Sequence, residues 1–157
     1  MMPKAEYIIS RAESVDSTRI AEIEKKCFSV PWSRKQIDDE ICRDNVIFLT
    51  AKTDSVVAGY ISGQMILDEF YISNIAVDEK FRNRHIGSAL IEKLIKILSE
   101  GNCSFATLEV RESNETARRL YEKYGFKLQG IRRNFYSAPN ENACIYTLYF
   151  NNEVIQN

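Results

Sequence analysis

The chain alternates between two hydrophobic periods, and the points where the period changes divide it into elements. Tyr7 to Ile9 is a short apolar run suited to a strand. Asp16 then stands where a helix would be capped, with Ile20, Ile23 and Cys27 lining one face after it. Ser33 and Gln36 have the spacing of a capping box, which predicts a second short helix that turns Ile37 and Ile41 inward. The SVPWS segment, 29–33, links these two helices into one unit. Three β-rich runs follow, Ile47 to Thr53, Val56 to Ile66 and Phe70 to Val77, separated by the polar turn candidates Asp54-Ser55 and Asp68-Glu69. That arrangement reads as an antiparallel meander. The period then changes to that of a helix from about Gly87 to Glu100, with Ile86, Leu90, Leu94 and either Ile97 or Leu98 on one face and Gly101 as its stop.

Phe105 to Val110 reads as another strand, and Asn114 opens a helix whose stripe is Ala117, Leu120, Tyr121 and Tyr124, stopped by Gly125. Strand, helix, strand, helix in this order places the two strands parallel and side by side. A last hairpin joins Lys127 to Tyr136 with Ala143 to Phe150 through a loop holding Pro139 and Asn140, and 151–157 reads as a frayed tail. The sum is one domain over 1–150 with no internal repeat. Its fold class is an α/β sandwich around a central mixed, mostly antiparallel sheet of about seven strands flanked by about four helices.

Two stretches hold candidate chemistry. From Ile75 to Leu94 a strand ends, a polar and basic turn follows, and a helix starts at the small pair Gly87-Ser88. Unpaired N–H groups at a helix start form an anion site at the positive end of the dipole, and Arg82 and Arg84 can add charge-assisted bonds. On spacing alone a merely solvated basic loop explains the segment as well. From Leu108 to Phe126, Glu109 sits late in a strand and Tyr121 on the following helix. Glu109 fits the solvent-facing member of an alternating pattern, Tyr121 a core aromatic, and Asn114 an ordinary helix cap.

From Ile75 to Leu90 the first stretch resembles the acetyl-CoA motif of the GNAT family of N-acetyltransferases. Its R/Q-x-x-G-x-G/A pattern begins at Arg82 and ends at Gly87, with His85 standing where the family has its first glycine. The resemblance implies that the turn, from Arg82, Asn83, Arg84 and His85 through Ile86, Gly87 and Ser88, holds the diphosphate of acetyl-CoA. It also implies that the main chain of Ile75, Ala76 and Val77 pairs with the pantetheine arm. A side chain at position 85 would take up clearance that glycine leaves for the phosphates, and the thioester would lie at the other end of the cofactor from His85.

LEVRESNETARRLYEKYGF (108–126), SVPWS (29–33), DEFYISNIAV (68–77) and IRRNFY (131–136) resemble the members of that family that acetylate N-terminal alanine, so the likeness spans nearly the whole chain. In those members the glutamate matching Glu109 accepts the proton of the amine, the tyrosine matching Tyr121 gives one to the departing thiolate, and the asparagine matching Asn114 binds the cofactor. The expected acceptor is then a protein N-terminus on a small-subunit ribosomal protein. Asp68, Glu69 and Tyr136 are the candidate acceptor contacts, and Pro31 and Trp32 are expected to anchor the helix pair. An α-amine, with a pKa of about 7.7–8.0 against about 10.4 for lysine, is already about one-tenth neutral near pH 7, which suits a modest base.

Charge and cysteine usage narrow the rest. Twenty-one basic residues against 22 acidic ones, a net charge of -1, argue against nucleic acid as a partner. Cys27, Cys42, Cys103 and Cys144 lie far apart and there is one histidine, so no metal is expected, and the cysteines read as small buried residues of a cytoplasmic protein. The opening stretch, broken by Lys4, Glu6, Arg11, Glu13 and Asp16, does not read as a signal peptide. No run reaches the roughly 18 apolar residues of a membrane span. Two alternatives stay open at this point: the same fold acting on lysine, a polyamine or another small amine, and a silent acyl-CoA-binding module.

Overall fold

A computed structural model describes residues 7–150, and within them seven strands and four α-helices follow in the expected order. They are β1 (Ile8–Arg11), α1 (Ser17–Cys27), α2 (Arg34–Ile41), β2 (Val46–Thr53), β3 (Val56–Ile66) and β4 (Glu69–Val77), then α3 (Ile86–Glu100), β5 (Phe105–Arg111), α4 (Glu115–Lys123), β6 (Lys127–Tyr136) and β7 (Glu141–Tyr149). The strands form one sheet in the order β1-β2-β3-β4-β5-β7-β6, parallel only between β4 and β5. The expected tail, 151–157, lies outside the described residues.

Local signals act much as their chemistry dictates. Ser33 Oγ accepts from the Gln36 N–H at 3.2 Å while Gln36 Oε1 accepts from the Ser33 N–H at 2.8 Å, closing the capping box of α2. Asp54 and Ser55 both take left-handed backbone, φ 49 and 65, as a tight hairpin requires. Asp16 behaves differently from expectation. It sits at the cap of α1, but its carboxylate accepts from the Glu13 N–H (2.9 Å) and pairs with Lys52 Nζ (2.9 Å), tying the approach to α1 onto β2. The turn before β4 also falls earlier than the Asp68-Glu69 pair suggests, because Leu67 adopts φ 56 and Glu69 already pairs with Phe105.

Each face of the sheet has its own core. On one, Ile20 and Ile23 of α1 and Ile37 of α2 pack with Phe48 and Tyr60; on the other, Leu90, Leu94 and Leu98 of α3 pack with Leu49, Ile61 and Phe70, joined by Tyr121 of α4. Each such side chain contributes about 1.5–3 kcal/mol on burial, so a strand that sends alternate residues to both cores is fixed in register. Two of the four cysteines, Cys103 and Cys144, are buried as expected; Cys27 is half-buried and Cys42 exposed.

Two irregularities shape β4. β3 pairs Ser62 with Asn74 and Gly63 with Ile72, which leaves Ser73 as a bulge. The extra residue reverses the alternation: Phe70 and Ile72 belong to the α3 core, whereas Ala76 belongs to the α1–α2 core and Ile75 and Val77 pack on the α3 side. Gly63 faces the bulge, where a Cβ would lie 2.5 Å from the Tyr71 carbonyl oxygen, so the close approach needs glycine. On its other edge β4 meets β5 over three residue pairs, Glu69–Phe105, Phe70–Ala106 and Tyr71–Thr107, and the two strands then part.

Candidate active site

The parting of β4 and β5 opens a cavity of about 500 Å³. Tyr71 to Ile75 line it from β4 and Leu108 to Arg111 from β5, while Asn114, Ala117 and Tyr121 reach it from α4 and the turn before it. The link between α1 and α2 contributes Phe28, Ser29, Val30 and Trp32, and the end of β6 contributes Phe135 and Tyr136. Glu109 and Tyr121 therefore share one cavity. Glu109 alternates with the buried Leu108 and Val110, and its carboxylate lies 3.6 Å from Arg132 Nε of β6. Tyr121 is 4 % exposed, with its ring against Phe126 and Tyr146 at centroid distances of 5.6 and 6.3 Å.

Burial pushes the Tyr121 phenol well above its ordinary pKa, with Tyr136 adding to the effect. The Tyr136 phenol is pushed up to about 12, first by burial and then by the nearby Glu109 carboxylate. Both hydroxyls stay protonated near neutral pH and can donate. Arg111 stacks over the Tyr136 ring at 4.5 Å and donates to the Ser137 and Pro139 carbonyls (3.1 and 2.9 Å), which fixes the end of the last hairpin at the mouth.

A second cavity, about 430 Å³, lies over the basic turn and the start of α3. Val77, Arg82, Asn83, His85, Ile86, Gly87 and Ser88 line it on one side, and Thr116, Arg119, Leu120 and Lys123 of α4 on the other. Asn83 and His85 both adopt left-handed backbone, φ 63 and 62. A Cβ on Gly87 would meet Leu120 at 3.4 Å and Val77 at 3.8 Å, ordinary contacts, so nothing in the protein's own packing requires glycine there. The N–H groups of the first turn of α3, beside these cations, suit a diphosphate. Ile75 lines the first cavity and Val77 the second, so this stretch of β4 joins the two.

Not every expected residue meets a cavity. Arg84 lies over the Phe81 ring at 5.6 Å, outside the lining, and Ala76 turns its side chain into the α1–α2 core. Arg82 lines the second cavity but donates to the Val77 carbonyl (3.2 Å) and lies 3.7 Å from Cys27 Sγ. Asp68 accepts from Ser104 Oγ and Glu69 accepts from the Tyr71 hydroxyl at 2.6 Å; neither lines the first cavity, although Tyr71 does. Asn114 both caps α4, accepting from the Ala117 N–H at 3.2 Å, and lines the first cavity. Trp32 packs on the α1–α2 core while Pro31 is exposed.

Sequence reasoning missed Arg132, Thr116, Arg119 and Lys123. The last three fall at helical spacing on α4, a signal that was available; Arg132 reaches Glu109 only through strand order. Among the described residues no cluster of histidine, cysteine and acidic side chains could hold a metal, and no helix is long and apolar enough to cross a membrane.

Comparison with known proteins places these features in context. The pattern of the Acetyltransferase (GNAT) family matches residues 17–126. A Haemophilus influenzae protein named [ribosomal protein bS18]-alanine N-acetyltransferase is 37% identical over 145 residues, covering 90% of this chain and 98% of that one. The crystal structure of the ribosomal-protein-S18-alanine N-acetyltransferase from Escherichia coli superposes with a TM-score of 0.85 at 33% identity, covering 92% of this chain and 94% of that one. Arabidopsis thaliana NAA60, solved in complex with acetyl-CoA, shares the fold with a TM-score of 0.84 at 18% identity, covering 92% of this chain and all of that one, 100%.

Proposed function

Since the chain belongs to the GNAT family of acetyltransferases, we propose that it transfers an acetyl group directly from acetyl-CoA to the N-terminal α-amine of alanine on a ribosomal protein in the cytoplasm. The observation that carries this reading is the shared cavity: Glu109 and Tyr121 line the space where β4 and β5 part, and β4 continues from it to the basic turn. The second cavity takes the diphosphate on the first turn of α3, with Arg119 and Lys123 beside it, and the main chain of Ile75–Val77 takes the pantetheine arm by strand-like hydrogen bonding.

The acceptor enters from the mouth formed by the α1–α2 link and Tyr136. Glu109, directly or through a water, takes the proton of the amine, which then attacks the thioester carbonyl. Collapse breaks the C–S bond, Tyr121 supplies the proton to the thiolate, whose parent thiol has a pKa of about 8.5, and the second proton that the nitrogen loses as the amide forms returns to the Tyr121 oxygen through water. The names borne by the relatives above support the alanine acceptor, and the acetyl-CoA complex of NAA60 supports the cofactor.

The test is thiol release from acetyl-CoA, with mass spectrometry of the product. One short basic peptide is offered with a free N-terminal alanine, and again with that amine blocked and a lysine available. Acetylation of the free alanine alone is the expected result. Modification of the lysine form, or of neither despite acetyl-CoA binding, refutes the reading.

A further inference from the structure

The α1–α2 core contains one carboxylate that this chemistry does not use. Glu24 is fully buried, 0% exposed, on α1, the helix that brings Ile20 and Ile23 into that core. Its Oε2 accepts from the Tyr60 hydroxyl at 2.5 Å, and its Oε1 accepts from the Trp32 N–H at 3.1 Å and from Asn74 Nδ2 at 3.0 Å. Burial raises its pKa, the hydrogen bonds opposing that shift. An ionisable group in such a place costs stability that an apolar side chain would not. Its partners suggest what it does instead. Trp32 belongs to the link that walls the first cavity, and Asn74 to the stretch of β4 that also lines it. Asn74 reaches the α1–α2 side only because the Ser73 bulge reverses the alternation of β4. Two local devices, an extra residue in a strand and a buried acid, thus converge on one separation.

We propose that Glu24 is a positioning residue for the acceptor: it holds the α1–α2 link and the Ser73–Ile75 stretch of β4 at a fixed separation and so limits which first residues are admitted beside Glu109. The inference rests on the α-amine reading above. The second cavity, over the basic turn and α4, has no lining residue in this network. The effect therefore falls first on the acceptor and leaves the diphosphate grip intact, Ile75 being the one residue shared with the proposed pantetheine contact.

Steady-state kinetics of the full chain tests it, using short peptides identical except for a first residue of alanine, serine, methionine or leucine. Glu24→Gln keeps the shape, an acceptor for Trp32 and Asn74, and an N–H for the Tyr60 oxygen, so selectivity stays within about twofold of the wild type. Glu24→Leu removes all three bonds. It is expected to raise KM for the alanine peptide about tenfold and to reduce the preference for alanine over leucine by a similar factor, with KM for acetyl-CoA changed by no more than about twofold. Should that variant not fold, Asn74→Ala cuts only the β4 end and is expected to shift the same two quantities about threefold. Loss of turnover with unchanged selectivity, or a parallel rise in KM for acetyl-CoA, would reduce Glu24 to a support of the fold and overturn the proposal. A wild type that acetylates none of the α-amine peptides overturns the acceptor reading and this inference with it, an outcome visible before any variant is made.

Discussion

At position 121 one side chain has two ends in different surroundings. The ring of Tyr121 packs into the α3 core, which is why its place in the stripe of α4 reads as an ordinary core aromatic, while its phenol stays neutral on the cavity wall. Tyr121→Phe keeps the packing and removes the proton, so kcat is expected to fall about 10- to 100-fold with KM for acetyl-CoA unchanged, and Glu109→Gln is expected to lower kcat at least about 100-fold. Normal turnover in both variants removes their assigned roles. The pattern made both residues visible but not their purpose, because a period reports which way a side chain points and says nothing of what shares the space. Only the resemblance supplied roles. His85 is the opposite case: its departure from the family glycine is plain in the sequence, and its left-handed φ of 62 gives the physical reason glycine suits that position. Relief of that strain exceeds the added freedom of the unfolded chain, so His85→Gly is expected to stabilise the fold by about 0.5–1 kcal/mol, read by thermal unfolding, and to lower KM for acetyl-CoA. An unchanged midpoint would show that the imidazole makes compensating contacts.

Between residue and fold lie the ends and irregularities of single elements. Helices α2, α3 and α4 begin within a residue of where their caps and stripes place them, because capping is decided by neighbours in the chain. The Ser73 bulge was not legible, since it is decided by the partner strand and by the lack of a side chain at Gly63. That one residue determines which face Asn74 serves. The end of β4 is secured by Asp78, only 1% exposed, which accepts from Arg19 and from the Lys80 N–H at 3.3 Å, with Lys26 at 3.9 Å. The Arg19 guanidinium holds the Asp78 carboxyl below its ordinary pKa. A carboxylate depressed in the folded state contributes stability above its unfolded value, near about 3.9, and that contribution is lost as pH falls through the lower folded value. Asp78→Asn is therefore expected to cost about 1–3 kcal/mol at pH 7, measured by urea unfolding, with the difference shrinking toward acid pH. A cost that stays the same at low pH would show that the charge of Asp78 is not what matters.

The whole molecule keeps two cavities apart along one strand, and only at this scale does the second one make sense. Arg119 and Lys123 belong to a different helix from the turn they face, so no single stretch of sequence reads as the site. Reversing both to glutamate is expected to raise KM for acetyl-CoA about tenfold or more, increasingly so at low salt, while KM for the peptide stays fixed. Equal change in both would mean that the two cavities are not separate binding places. The order of elements and the parallel pairing of β4 with β5 were legible from alternation and connection rules. How briefly those strands stay paired was not, because residues beyond Tyr71 and Thr107 look no different from strand residues that do pair. The sheet is thus two plates, β1 to β4 and β5 to β7, whose backbones are joined by a seam of three rungs. If acetyl-CoA lies in the gap along Ile75–Val77 as proposed, it would act as a rivet across that seam, and loading is expected to stiffen the scaffold. Amide exchange over 72–77 and 108–111 should slow together when acetyl-CoA is added, and return when the thiol product departs.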